Sequence, residues 1–119
     1  MRLCLALIVL LVAAPGHAAS ASALEAQKIE YLISAIESLH NAQFIRNGLA
    51  YDSKSAAEHL RSKLRIAGSR VTTADDFIRL CASASSVSGT PYQIRFGDGR
   101  TVTSEAYLRQ KLEAFSPKQ

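Results

Sequence analysis

Three groups of residues in this chain are of types that can do chemistry. The first is Arg46 with Asn47, taken together with Ser85, Ser86, Ser88 and Tyr92. An arginine offers a planar fork of donors that matches a carboxylate or phosphate, and serine hydroxyls with loop amides add short donors around it. If the fold brings these residues together they form an anion pocket. If it does not, Arg46 pairs with a local acid and the serines close a helix by bonding backbone groups. The second group is His59, whose ordinary titration near neutrality suits a base or a pH-sensitive contact. A helical projection puts it about 100° from the centre of a buried face, a margin position where histidine also serves in packing and hydrogen bonding. His40 is explained by attraction to the carbonyl end of a helix. The third is Cys81, which falls on the same helix face as Phe77 and Ala84 and is read as a small apolar core residue.

No spacing in the chain completes a catalytic or metal-binding motif. No serine stands in a nucleophile elbow, and zinc and EF-hand spacings are absent. Asp75 and Asp76 are adjacent, and neighbouring side chains on a helix diverge by about 100°, so they are read as helix-start charges and not as an acid/base pair. Gly97-Asp98-Gly99 is a turn and not a phosphate cradle. No catalytic residue, metal or cofactor is therefore assigned.

The elements that must position these residues follow from hydrophobic periodicity. Ile29, Leu32, Ile33, Ile36 and Leu39 recur at three and four, which predicts a first helix from Leu24 to about His40, with Asn41 suited to the left-handed stop. Phe44 to Gly48 predicts a short extended piece and a tight turn. Asp52 or Ser53 caps a second helix to about Ala67, with Ala56, Ala57, Leu60 and Leu64 inward and Gly68 beyond its end; Lys54, Glu58, Arg61 and Arg65 dress its solvated side. Thr72 and Thr73, each followed three residues later by an aspartate, start a third helix through Phe77, Ile78, Leu80, Cys81 and Ala84. A serine-rich loop from Ser83 to Pro91 follows. Tyr92, Ile94 and Phe96 alternate with polar residues, and Arg100 to Thr103 alternates again after the glycines, which predicts a β-hairpin. Ser104 opens a fourth helix with Leu108, Leu112 and Phe115 on one side, ended by Pro117. The expected fold is α+β, mostly helical, with about four helices and one hairpin between the third and fourth, because a lone hairpin must pack its apolar side on helices.

The first residues point to export. Met1 and Arg2 precede an apolar run from Leu3 to Ala14 and then the small residues Gly16 and Ala18, the order of a secretory signal peptide cleaved after Ala18. That run covers about 12 residues against the roughly 20 a membrane-crossing helix needs, so no stable membrane insertion is expected after processing. The predicted organisation is a signal peptide over 1–18, a disordered lead over 19–23 and one domain over 24–116. Cys4 leaves with the signal, so no internal disulfide can form. The formal charge of +4 is spread with both signs interleaved, without the clustered basic and stacking residues of a nucleic-acid binder.

With these segments placed, the chain resembles the YfeK-like family of small exported bacterial proteins of unknown function. The likeness is carried by Phe44-Ile45-Arg46-Asn47-Gly48, by His59-Leu60 with Lys63, by Thr73-Ala74-Asp75-Asp76-Phe77-Ile78, and by the run from Ala82 through Ser85, Ser86, Ser88 and Gly89 to Pro91-Tyr92. The resemblance implies a bacterial envelope protein and names no activity, cofactor or partner. The leading expectation is a non-enzymatic periplasmic binding or accessory module that meets an envelope protein or a small anionic ligand through Arg46, Asn47 and the Ser85 to Tyr92 loop, where loop donors concentrate. Two alternatives are a small hydrolase or transferase using His59 with a loop serine, and a structural module that dimerises through helix one.

Overall fold

The computed structural model describes residues 17–117; most of the expected signal peptide lies outside them. The element order is α1 (His17–Glu37), β1 (Ala42–Arg46), β2 (Leu49–Tyr51), α2 (Ser53–Ala67), α3 (Ala74–Phe77, continued by a π-helical turn over Ile78–Ala82), β3 (Gln93–Phe96), β4 (Thr101–Thr103) and α4 (Ser104–Glu113). This is an α+β fold in which helices cover one face of an antiparallel sheet of order β2-β1-β3-β4.

The sheet is larger than the single hairpin expected. Arg46 pairs with Leu49 across a two-residue connection, and Asn47 and Gly48 both hold positive φ, 51° and 77°. That is the backbone of a two-residue hairpin whose twist suits paired strands, and Asn-Gly is its strongest sequence signal. What looked like one extended piece and a turn is thus a full hairpin, and β1 then takes β3 as its other neighbour. The inward side chains line up in one row across all four strands, Tyr51, Phe44, Ile94 and Val102. Arg46 stands two residues along β1 from Phe44, which by strand alternation puts it on the same helix-facing side.

Helices α2, α3 and α4 begin as their caps dictate. Asp52 accepts from the Ser55 amide at 2.8 Å, Thr73 from the Asp76 amide at 3.0 Å and Thr103 from the Ala106 amide at 3.2 Å. Helix α1 stops at Glu37, earlier than expected, and Asn41 takes the left-handed φ of 51° that lets the chain turn into β1. His40 is exposed in this turn and does not belong to the last helical turn. At its other end α1 runs through residues 19–23, expected as a disordered lead; three of those five residues are alanine, the strongest helix former.

Leu32, Ile33 and Ile36 of α1, Ala57 and Leu60 of α2, Phe77 and Cys81, Ile94 and Leu108 form one buried core. The apolar stripe of α1 is taken up inside its own domain, so the exposed dimerising face expected of helix one is absent from residues 24–37. Cys81 is buried, as its helix position required, and burial pushes its thiol pKa up. Surface ion pairs join the layers, Arg61 to Glu37 at 2.8 Å and Arg109 to Asp75 at 2.7 Å.

Helix three departs from a regular α-helix. Its last turn widens to π geometry over Ile78–Ala82, and the Ser83 hydroxyl donates to the Ile78 carbonyl at 2.6 Å. The wider turn sends Ala82 fully inward where regular spacing expected Ala84, and Ala84 instead bridges Pro91. Such turns are frequent at functional sites.

Candidate functional site

The turn at Asn47 and the helix α2 together decide where the predicted residues meet. Arg46 and Asn47 leave the hairpin in different directions and build two adjacent but separate clusters. Asn47 goes to the serine loop: its amide nitrogen donates to Ser85 Oγ at 3.3 Å, and Ser88 Oγ donates to its carbonyl oxygen at 2.6 Å. Ser85, buried, also accepts from the amides of Val87 and Ser88 at 3.3 and 3.4 Å. These hydroxyls are satisfied by the protein itself. Ser86 is exposed and makes no hydrogen bond to either cluster.

Arg46 enters a cluster of cations and aromatic rings. Its Nη1 lies 2.8 Å from His59 Nδ1 and 3.2 Å from Nε2, and its Nη2 donates to the Tyr51 hydroxyl at 3.1 Å. A guanidinium can only donate, so the nearer nitrogen Nδ1 is assigned as acceptor and the ring proton sits on Nε2. That nitrogen faces the Tyr92 hydroxyl at 3.2 Å, with the two rings edge to face at 5.8 Å. Lys63 donates to the same hydroxyl at 3.0 Å and to the Ala84 carbonyl at 3.1 Å. The two cations also lie over the tyrosine faces, Arg46 at 4.9 Å from the Tyr51 ring and Lys63 at 5.0 Å from the Tyr92 ring.

The charge balance of this cluster is its main feature. The sequence left open that Arg46 pairs with a local acid; its hydrogen-bond partners are instead His59 and Tyr51, both neutral, and neither Arg46 nor Lys63 forms a salt bridge among the described residues. Burial first, and then the charges of Arg46 and Lys63, hold the His59 pKa below its ordinary value, so the imidazole is neutral at pH 7. Beside the cluster opens a cleft of about 260 Å³. Its apolar lining includes Ile36, Phe44, Leu60, Ala82 and Leu108, and its polar lining is Arg46, Tyr51, His59 and Tyr92 with the hydroxyl residues Ser55 and Ser104. The inward Ala82 of the π turn thus forms part of the wall.

Of the predicted residues, Arg46, His59 and Tyr92 converge, whereas Asn47, Ser85 and Ser88 brace the loop beside them. Sequence reasoning missed Tyr51 and Lys63. Both had a signal: Lys63 follows His59 by four on one helix face, and Tyr51 lies diagonally across the two-residue hairpin from Arg46. Asp75 and Asp76 diverge as expected. Asp75 pairs with Arg109, while Asp76 accepts from the Thr72 amide and hydroxyl, which lower its pKa to about 2.

The fold and site define a small α+β domain in which a four-stranded sheet and its helical cover hold a basic and aromatic cleft. The chain belongs to a family of unknown function, DUF5329, whose model matches residues 23–116. It is similar to the uncharacterized protein YfeK of Salmonella typhimurium strain LT2, 37% identical over 87 residues that make up 73% of this chain and 72% of that one. No solved structure matches the chain.

Proposed function

We propose that this protein is a non-enzymatic periplasmic binding module that takes a small anion at Arg46 in the cleft. The observation that carries the reading is a half-buried guanidinium on a cleft wall whose partners are both neutral and whose lining contains no carboxylate. A cation held this way, beside apolar surface that weakens solvent screening, favours an anion strongly. Tyr51 and His59 hold the fork in one orientation, so less side-chain freedom is lost on binding.

The non-enzymatic part of the reading rests on how the two clusters divide the polar groups. The hydrolase alternative requires His59 to activate a loop serine. His59 is engaged by Arg46 and Tyr92, while Ser85 and Ser88 are engaged by Asn47, so no such pair is hydrogen-bonded. The periplasmic part rests on the charged, apolar and small-residue order of residues 1–18.

The test is an NMR titration of the protein with acetate, inorganic phosphate and hexanoate, followed at the ring signals of Tyr51, His59 and Tyr92. Saturable shifts that vanish in a folded Arg46→Ala variant are expected. Shifts that persist unchanged in that variant, or none with any of the three anions, would refute the reading.

A further inference from the structure

The anion-binding reading leaves open what kind of anion the cleft accepts, and three features of the site narrow it. The first is formal charge. Arg46 is the one charged residue on the lining; His59 is neutral, and Lys63 keeps its charge but stands off the lining, donating to the Tyr92 hydroxyl and the Ala84 carbonyl. Only Arg46 can meet an anion directly, so a doubly charged phosphate would keep a charge without a direct ionic partner beside apolar surface, which is costly. The second is shape. A planar guanidinium already fixed by bonds from both terminal nitrogens presents its remaining N–H groups in one plane, which matches a carboxylate better than a tetrahedral group.

The third feature is the rest of the cleft. A site for a bare anion would need only polar groups, yet Phe44, Leu60 and Leu108 also line the cleft. Its volume of about 260 Å³ exceeds the roughly 150 Å³ of an apolar cavity that takes up benzene, so about six carbons fit beside the anion. Water lying against Phe44, Leu60 and Leu108 gains no hydrogen bond from those side chains, so an apolar group displaces it favourably.

We propose that the ligand is a small amphipathic monoanion, a carboxylate bound at Arg46 and carrying an apolar body of about six carbons along the Phe44, Leu60 and Leu108 wall. The proposal rests on the anion-binding reading and adds the ligand class. Each methylene moved from water onto that wall strengthens binding about fourfold. Hexanoate therefore binds at least about tenfold more tightly than acetate even if only part of its chain is covered.

The experiment is calorimetric titration of the protein, expressed from the whole chain, with hexanoate, benzoate, acetate, inorganic phosphate and hexanol. Hexanoate or benzoate binding at least tenfold more tightly than acetate, phosphate and hexanol is expected. Acetate or phosphate binding as tightly as hexanoate would overturn the ligand class and leave the anion reading standing. Hexanol matching hexanoate would overturn both, since the charge would then contribute nothing. Silence from all five would also overturn both.

Discussion

Arg46 and Asn47 are neighbours in the chain and enter opposite environments. Asn47 reaches a loop of serines, where its amide group is bonded at both its nitrogen and its oxygen by Ser85 and Ser88 and the product is a braced hairpin tip. Arg46 reaches a half-buried group of rings and a second cation, where its charge is oriented but not neutralised. A polar cluster that satisfies itself is an element of structure. One that is rigid and leaves a charge uncompensated is poised to receive something from outside. The same distinction separates the serines, which composition made prominent, from the tyrosines and lysine that surround the cleft.

The sharpest way to break this contrast is at Asn47. Asn47→Ala removes two side-chain bonds and puts an alanine at φ 51°. A loss of about 2 kcal/mol in urea unfolding is expected, with hexanoate affinity within about threefold of wild type. A large loss of affinity at unchanged stability would erase the division between the clusters. Arg46→Ala should do the reverse, lowering hexanoate affinity more than about tenfold, equivalent to about 1.4 kcal/mol, while unfolding stability changes by less than about 1 kcal/mol.

A pH series sharpens the contrast at His59. Its pKa is lowered in the fold, so between that value and the unfolded value of 6.5 the unfolded chain binds more protons than the native protein. Stability is therefore full above pH 6.5 and falls as the pH drops below it. Melting temperatures between pH 7.5 and 5.5 should decline on acidification, and a His59→Gln variant should show a flatter profile. Asp52 and Asp76, whose pKa values are lowered by hydrogen bonds, titrate below that window. The smallest effect expected is at Tyr51. Tyr51→Phe keeps the ring under Arg46 and removes one acceptor, so hexanoate affinity should fall only about two- to threefold, by less than the 1.4 kcal/mol that a tenfold change represents.

Much of the fold was legible in the sequence because it is written in local signals. The caps at Asp52 and Thr73, the left-handed Asn41 and the periodic faces of α1, α2 and α4 each depend on a few neighbouring residues. Of the β1–β2 hairpin only the turn at Asn47-Gly48 was read, because β2 is three residues long and gives no alternation of its own. The π turn at Ile78–Ala82 left no comparable mark, since its residues read equally well as a regular helix.

For the site, the sequence by itself determined the residue types on offer: an arginine and asparagine at a turn, a histidine at a helix margin, a serine-rich loop and a tyrosine opening a strand. Only the tertiary structure decided which of them share a space. Arg46 and His59 are 13 residues apart and His59 and Tyr92 are 33 apart, so their meeting depends on how α2 packs against β1 and the segment leading into β3 and not on any local spacing. The same packing set aside Ser85 and Ser88 as braces and brought in Tyr51 and Lys63. Spacing along a chain reports on faces of single elements, whereas charge balance in a cleft is a property of several elements packed together.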